Sequence, residues 1–319
     1  MQTRKIKGFP TIFPHIESCE APSPANCIKI PCQNLYVGRR GSGKTYSCYL
    51  LLRQLKECDL AHRIFLMSPT ASSRTNVQLW ESLDVKEGDR FEELTLENLK
   101  TILEEVEKEG REFREYQLKL ETHTKLHRYL RLKNCDVLKI PDEILLLADV
   151  WPELWEKEPP THKYGGKQPC MHVVFDDCQG STLMRTPTLL NMIIKHRHLG
   201  NGIGLSTHFA VQSYMSAQGG CPRPLRGNCT TLILFRTHDA KMMKTIVEEI
   251  SEVPPDVFLA MYEEATNEEH RPLIVEITPK KPDLMYRAGW NTLLIPRVGR
   301  EAPIQIAAPH RHEENVREE

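Results

Sequence analysis

The chain has 319 residues, 27% of them charged, and a formal net charge of −1. That length suits one large α/β domain or two smaller ones. Near-neutrality excludes a surface coated in basic residues, so any nucleic-acid contact must be confined to a groove or pore. No apolar run approaches the roughly 18 residues a membrane span needs, so an integral membrane protein is not expected. The start, MQTRKIKGFPTIFP, has no apolar core followed by small residues, and no secretory signal is expected. The ten cysteines include no C-x-x-C pair and read as reduced thiols.

Residues 1–32 are proline-rich without apolar periodicity and read as an extended arm. Gln33–Val37 is a short strand-like run ending at Gly38, and Cys48, Leu51, Leu52 and Leu55 then recur at helical spacing. Arg63–Ser68 is a continuous apolar strand stopped by Pro69. Strand, loop, helix, strand opens a parallel sheet buried on both faces.

Thr95 to Lys133 is charged and helical, with Leu96, Leu99, Leu103, Val106 and Phe113 on a 3-4 spacing. Gly110 lies on that stripe, costs about 1 kcal/mol in a helix interior, and marks a kink or break. We read a solvated helical hairpin inserted at about 91–165, with a proline- and glycine-marked return over 151–169. Strands are expected again at Met171–Phe175, Gly202–Thr207, Thr231–Phe235 and Leu273–Ile277. Thr186 caps a helix that has Pro187 first and runs to about His198, Asp239 caps Ala240 to about Ile250, and another helix starts near Pro255. The expected organisation is a main domain over 33–297 and a disordered tail over 298–319.

Gly38, Arg39, Arg40, Gly41, Ser42, Gly43, Lys44 and Thr45 match G-x-x-x-x-G-K-T between a strand and a helix. Such a loop turns backbone N–H groups toward phosphate oxygens at a helix N-terminus. Lys44 should reach the β- and γ-phosphates, and the Thr45 hydroxyl should coordinate Mg²⁺. Arg39 and Arg40 occupy the variable positions, where side chains face away from the phosphates, and we expect them to face a neighbouring subunit. Asp176 and Asp177 close the apolar run before them; Asp176 is expected to hold Mg²⁺ and Asp177 to orient and deprotonate the attacking water. Thr207 and Gln212, on or after a neighbouring strand, are both candidates for sensing the γ-phosphate.

The two acids, Lys195-His196-Arg197-His198, Gln212-Ser213-Tyr214, Pro224-Leu225-Arg226-Gly227-Asn228 and the strand after them come in a distinctive order. That order resembles the genome-packaging ATPases of large double-stranded DNA viruses, a branch of the FtsK–HerA class of P-loop NTPases. The resemblance covers roughly Gln33 to Leu294 apart from the charged helical segment. It implies an α/β fold, a RecA-like P-loop NTPase core with a mainly parallel central sheet and a charged helical insertion. It further implies a homo-oligomeric, usually hexameric ring that hydrolyses ATP with Mg²⁺ to drive double-stranded DNA into a capsid. Partners at the packaging site would be a capsid or membrane protein, and the location a virus factory in host cytoplasm or nucleus, or the virion. Arg197 and Arg226 occupy the stretches where the resemblance places an arginine finger acting on a neighbouring subunit. Ser213–Arg226, with Gly219-Gly220, and Lys280-Lys281 are candidate DNA contacts. The competing readings are a helicase-like P-loop enzyme and a nucleotide-gated scaffold.

Overall fold

In the computed structural model the described residues are 2–5, 28–131, 137–215, 220–279 and 281–296. The chain begins with β1 (Gln2–Lys5), β2 (Gln33–Val37), α1 (Lys44–Glu57), β3 (Arg63–Met67), α2 (Arg74–Glu81) and β4 (Arg90–Phe91). It continues with α3 (Leu96–Leu130), α4 (Asp142–Val150), β5 (Met171–Phe175), α5 (Pro187–Lys195), α6 (Leu199–Gly202) and β6 (Leu205–Val211). The last third holds α7 (Arg223–Asn228), β7 (Thr231–Leu234), α8 (Ala240–Ile250), α9 (Pro255–Ala265), β8 (Leu273–Glu276), β9 (Tyr286–Ala288) and β10 (Thr292–Ile295).

These strands form one sheet in the order β1-β10-β9-β8-β7-β2-β6-β5-β3-β4. From β7 to β4 all neighbours are parallel, and from β8 to β1 the pairing is antiparallel. Alternate side chains feed two cores, as a two-sided sheet requires. Leu35 and Val37 face the core shared with α3, α5, α8 and α9, while Tyr36 faces the one shared with α1 and Trp80 of α2. The expected α/β fold with a mainly parallel central sheet is the observed one. The caps read from sequence are also in place: Thr186 Oγ1 accepts from Leu189 N at 3.3 Å and Asp239 Oδ1 from Met242 N at 2.9 Å.

The structure differs from the sequence reading in three places. First, β6 starts at Leu205 rather than Gly202 and runs on to Val211. Gly200, Asn201, Gly202 and Gly204 all take left-handed φ (58°, 54°, 94° and 77°), which a strand cannot use. Second, α3 is one continuous helix of 35 residues, with no break at Gly110. A Cβ on Gly110 would lie 1.9 Å from the Gly200 carbonyl oxygen, so this glycine lets α3 cross the turn before β6 backbone to backbone. Glu107 Oε1 fastens the crossing by accepting from Gly200 N at 2.9 Å. Third, the first half of α3 is not solvated. Leu99, Ile102, Val106 and Phe113 lie in the main core, and Phe91 already belongs to the sheet. Only the distal half of α3 stands apart, packing Leu126 with Ile140, Ile144, Ala148 and Leu154 in a separate small cluster.

Residues 2–5 of the expected arm form the edge strand β1. The stretch 6–27, the tail 298–319, Gly219 and Lys280 lie outside the described residues. No helix among the described residues is long and apolar enough to cross a membrane. The described cysteines Cys32, Cys48, Cys58, Cys170, Cys178, Cys221 and Cys229 are free thiols.

Candidate nucleotide site

The loop Gly38–Thr45 leaves the C-terminal end of β2 and enters α1. Gly43 sits at the helix N-cap with φ 96°, a conformation only glycine adopts without strain. Lys44, 6% exposed, folds back over the loop, its Nζ donating to the carbonyls of Gly38 at 2.8 Å and Arg39 at 3.0 Å. Thr45 Oγ1 donates to Asp176 Oδ2 at 2.9 Å, joining residues 131 positions apart in sequence. A hydroxyl and a carboxylate meeting at the mouth of a phosphate loop are the oxygen donors Mg²⁺ takes, completed in such sites by phosphate oxygens and water. The described residues hold no group of three or more His, Cys, Asp or Glu that could bind a metal ion.

The electrostatics follow from burial. Asp176 is 5% exposed, and desolvation raises its pKa above the ordinary carboxylate value; the Thr45 hydrogen bond pulls the other way and neighbouring Asp177 adds to the rise. Burial likewise lowers the Lys44 pKa, opposed by attraction to Asp177 and Asp176. A buried carboxylate beside a buried ammonium is the pattern of a site that gains by binding ions. Asp177 is exposed at φ 50°, and its N–H donates to Asp176 Oδ1 at 3.1 Å.

The strand order separates the two sensor candidates. β6 lies between β2 and β5, so whatever ends β6 stands between the phosphate loop and the acids. Val211 pairs with Val37, its carbonyl accepts from Gly38 N at 3.2 Å, and exposed Gln212 follows it. Thr207 is corrected: it pairs with Gln33, is 0% exposed, and sits at the opposite end of the strands, about 13 Å away along β2. A residue there cannot touch a phosphate held at Lys44. Gln179 was not foreseen. Its Oε1 accepts from the backbone N–H groups of Gln212 and Ser213 at 2.6 and 2.8 Å, fixing the end of β6 to the turn after the acids. Its place two residues beyond Asp177 is the one signal the sequence offered.

The arginines divide. Arg197 is exposed in the turn whose His196 carbonyl accepts from Leu205 N at 2.8 Å, at the N-terminal end of β6 and away from its own loop. Arg226 is committed inside the subunit. Its side chain is 13% exposed, 3.4 Å from Glu249 Oε1 and stacked 5.1 Å from the Tyr214 ring centroid, with the Tyr214 hydroxyl donating to Glu249 Oε2 at 2.6 Å. Exposed Arg39 and Arg40 stand on the rim of a cleft of ≈ 530 Å³ on the β7 side of the loop.

No family model matches the chain, and neither does any curated protein. Among solved structures it is similar to the genome packaging NTPase B204 from Sulfolobus turreted icosahedral virus 2 in complex with ATP-gammaS. The identity is 15%, with 79% of this chain and 96% of that one covered and a TM-score of 0.39. The same NTPase in complex with sulfate gives 15%, 79%, 95% and 0.40. The pCW3 conjugation coupling protein TcpA, monomer form with ATPgS, gives 13% identity over 85% of this chain and 62% of that one, at a TM-score of 0.34. The candidate nucleotide site rests on the chain's own strand order and on the Gly38–Thr45 loop between β2 and α1.

Proposed function

We propose that the protein is an ATP-driven motor that translocates double-stranded DNA into a preformed capsid, working as a homo-oligomeric, hexameric ring. The observation that carries the ATPase part is the Thr45–Asp176 hydrogen bond beside Lys44, with exposed Asp177 after β5 and exposed Gln212 at the end of the neighbouring β6. Lys44 binds the phosphate chain and offsets charge on its terminal oxygens. Gln212 orients the attacking water, and Asp177 takes its proton as the water oxygen bonds to the γ-phosphorus and the bond to the β–γ bridging oxygen breaks. ADP leaves, and the proton passes on to the inorganic phosphate. Thr45 and Asp176 would hold Mg²⁺, which when bound would offset negative charge on the phosphate oxygens. The DNA substrate and the capsid destination are supported by the order of motifs from Asp176 to Asn228. The docking partner would be a capsid or membrane protein at the packaging site, in a virus factory.

Ring action is supported by Arg197, which is exposed and too far from its own loop to act there. Presented to a neighbour's γ-phosphate, a guanidinium can contribute on the order of 10³-fold in rate. Arg226 is the weaker finger because it would have to leave its ion pair with Glu249 and its stack on Tyr214. The test is ATPase activity on fractions of known mass, with and without duplex DNA. Mixed Arg197→Ala and Lys44→Ala subunits, each inactive alone, should regain partial activity. A monomer indifferent to DNA, or no recovery on mixing, sinks the shared-site motor. Tight ATP binding with turnover near zero would make the protein a nucleotide-gated scaffold instead.

A further inference from the structure

We propose that the cleft on the β7 side of the phosphate loop is the nucleoside pocket, with the Arg236 guanidinium stacking on the base and His270 meeting the ribose. This rests on the nucleotide reading above and assigns the half of the ligand that the loop motif leaves open.

The sheet order sets the direction in which the ligand lies. β2 has β6 and β5 on one flank and β7 and β8 on the other. The Thr45–Asp176 bond fixes the metal-binding end of the phosphate chain on the β5 flank. The remainder of a nucleotide seated on the loop therefore extends toward β7. There the chain offers a cleft of ≈ 530 Å³, within the range of ligand pockets. Its floor and near wall are the outer face of the loop with Phe235 and Arg236, which follow β7. Its far wall is the loop 266–271, which leads into β8. Because β8 runs antiparallel to β7, with Leu273 opposite Leu234, that loop reaches the same sheet edge as the phosphate loop.

Both walls are held from behind. Arg271 donates from Nε to Ala265 O at 2.8 Å and from Nη2 to Glu264 O at 2.7 Å, while its Nη1 binds Glu268 Oε1 at 2.6 Å. That guanidinium is consumed in building the wall. The Tyr262 hydroxyl accepts from Thr237 N at 2.6 Å and pins the turn carrying Arg236. His270 adopts φ 63°, a left-handed conformation uncommon for a side-chain-bearing residue, and it lies against the phosphate loop. A Cβ on Gly43 would stand 3.2 Å from His270 Cβ. The imidazole is half exposed beside the glycine that opens α1.

The chemistry suits a nucleoside attached to phosphates. Exposed Arg39, Arg40 and Arg236 set three guanidinium groups around the cleft. A planar, weakly hydrated guanidinium stacks on a base face, and an ammonium does not substitute for it. Arg39 and Arg40 at the rim supply positive charge on the phosphate side, which gives these variable-position residues a role within their own subunit.

The test is isothermal titration of the full chain with a non-hydrolysable ATP analogue and, separately, with inorganic tripolyphosphate. Arg236→Ala and His270→Ala should each weaken the analogue about tenfold while tripolyphosphate affinity stays within about twofold. Arg236→Lys should lose as much analogue affinity as Arg236→Ala, because it keeps the charge and loses the plane. Lys44→Ala should weaken both ligands. If the Arg236 and His270 variants weaken both ligands equally, the pair acts on phosphate and the assignment fails. If they weaken neither, the nucleoside lies elsewhere while the phosphate site stands. A wild-type chain that binds tripolyphosphate no better than Lys44→Ala overturns the nucleotide reading itself.

Discussion

The two ends of the parallel strands are made of similar polar residues and do different work. At the N-terminal end, polar groups tie strands to one another: Thr207 N donates to Cys32 O at 2.8 Å, Cys32 N to Ser206 Oγ at 3.2 Å and Gln33 N to Thr230 Oγ1 at 2.8 Å. A buried chain runs beside them, from Asn34 Nδ2 to His208 Nδ1 (3.2 Å), His208 Nε2 to His172 Nδ1 (3.1 Å), and His172 Nε2 to Leu60 O (2.8 Å). At the C-terminal end, a carboxylate and an ammonium are buried while Asp177 and Gln212 stay exposed. Polar residues at a strand end usually complete the backbone's own hydrogen bonding. The site is marked by Asp177 and Gln212 staying exposed beside a buried carboxylate and a buried ammonium.

The sharpest blow to this division would come from the acids. Asp177→Asn should cut ATP hydrolysis by about 10²–10⁴-fold while leaving binding of an ATP analogue in place; unchanged turnover would remove the C-terminal end from the chemistry. Next come the two sensor candidates. Gln212→Ala should slow hydrolysis about 10²-fold, whereas Thr207→Val should leave the rate within about twofold. The Thr207 hydroxyl is buried and makes no hydrogen bond among the described residues, so Val there should also fold as well or better. A silent Gln212→Ala with a dead Thr207→Val would invert the comparison.

Two stability measurements sharpen it further. Burial depresses His172 from 6.5 to about 4 and His208 well below its ordinary value, so both imidazoles are neutral in the fold. Their contribution is complete above the unfolded value and is lost as pH falls through 6.5 toward 4. The unfolding free energy from urea titrations should then drop by up to about 1.4 kcal/mol per pH unit for each histidine. A His172→Asn variant should show a shallower slope, and an identical slope would mean that the chain titrates elsewhere. The smallest effect has the opposite sign. Asp176 is raised in the fold, so its ionised form costs stability at neutral pH; this cost shrinks as pH falls through the folded value and is gone below the ordinary carboxylate value. Asp176→Asn should raise the thermal midpoint by a few degrees and abolish hydrolysis; a lowered midpoint would mean the carboxylate supports the fold it occupies.

Much of this division was legible in the chain. The phosphate loop stood out because strand and helix flank it, and Asp176 because an apolar run ends on it. The register of β6 was not. Its Ser206, Thr207 and His208 look like a strand ending, yet they are buried by cross-strand bonds to Cys32 and His172 that no local pattern displays. Arg236, His270 and Gln179 escaped for the same reason, since each reaches the site only through the order of strands. The stripe on α3 was visible, but not the turn that buries against it.

That crossing of α3 over Gly200 has a geometric consequence. Glu107 and Gly110 anchor the helix near its first third, and everything beyond Phe113 extends from a fixed origin. Seven residues inserted there would carry the small distal cluster about 10.5 Å outward and turn it by roughly 20°. A single inserted residue would swing it by about 100° with almost no change in reach. Neither change touches the clamped turn, provided that the return carrying Glu153, Lys163 and Cys170 into β5 is lengthened to match. Distance and bearing of the distal cluster are thus separately adjustable by helix length, on a core that does not register the difference.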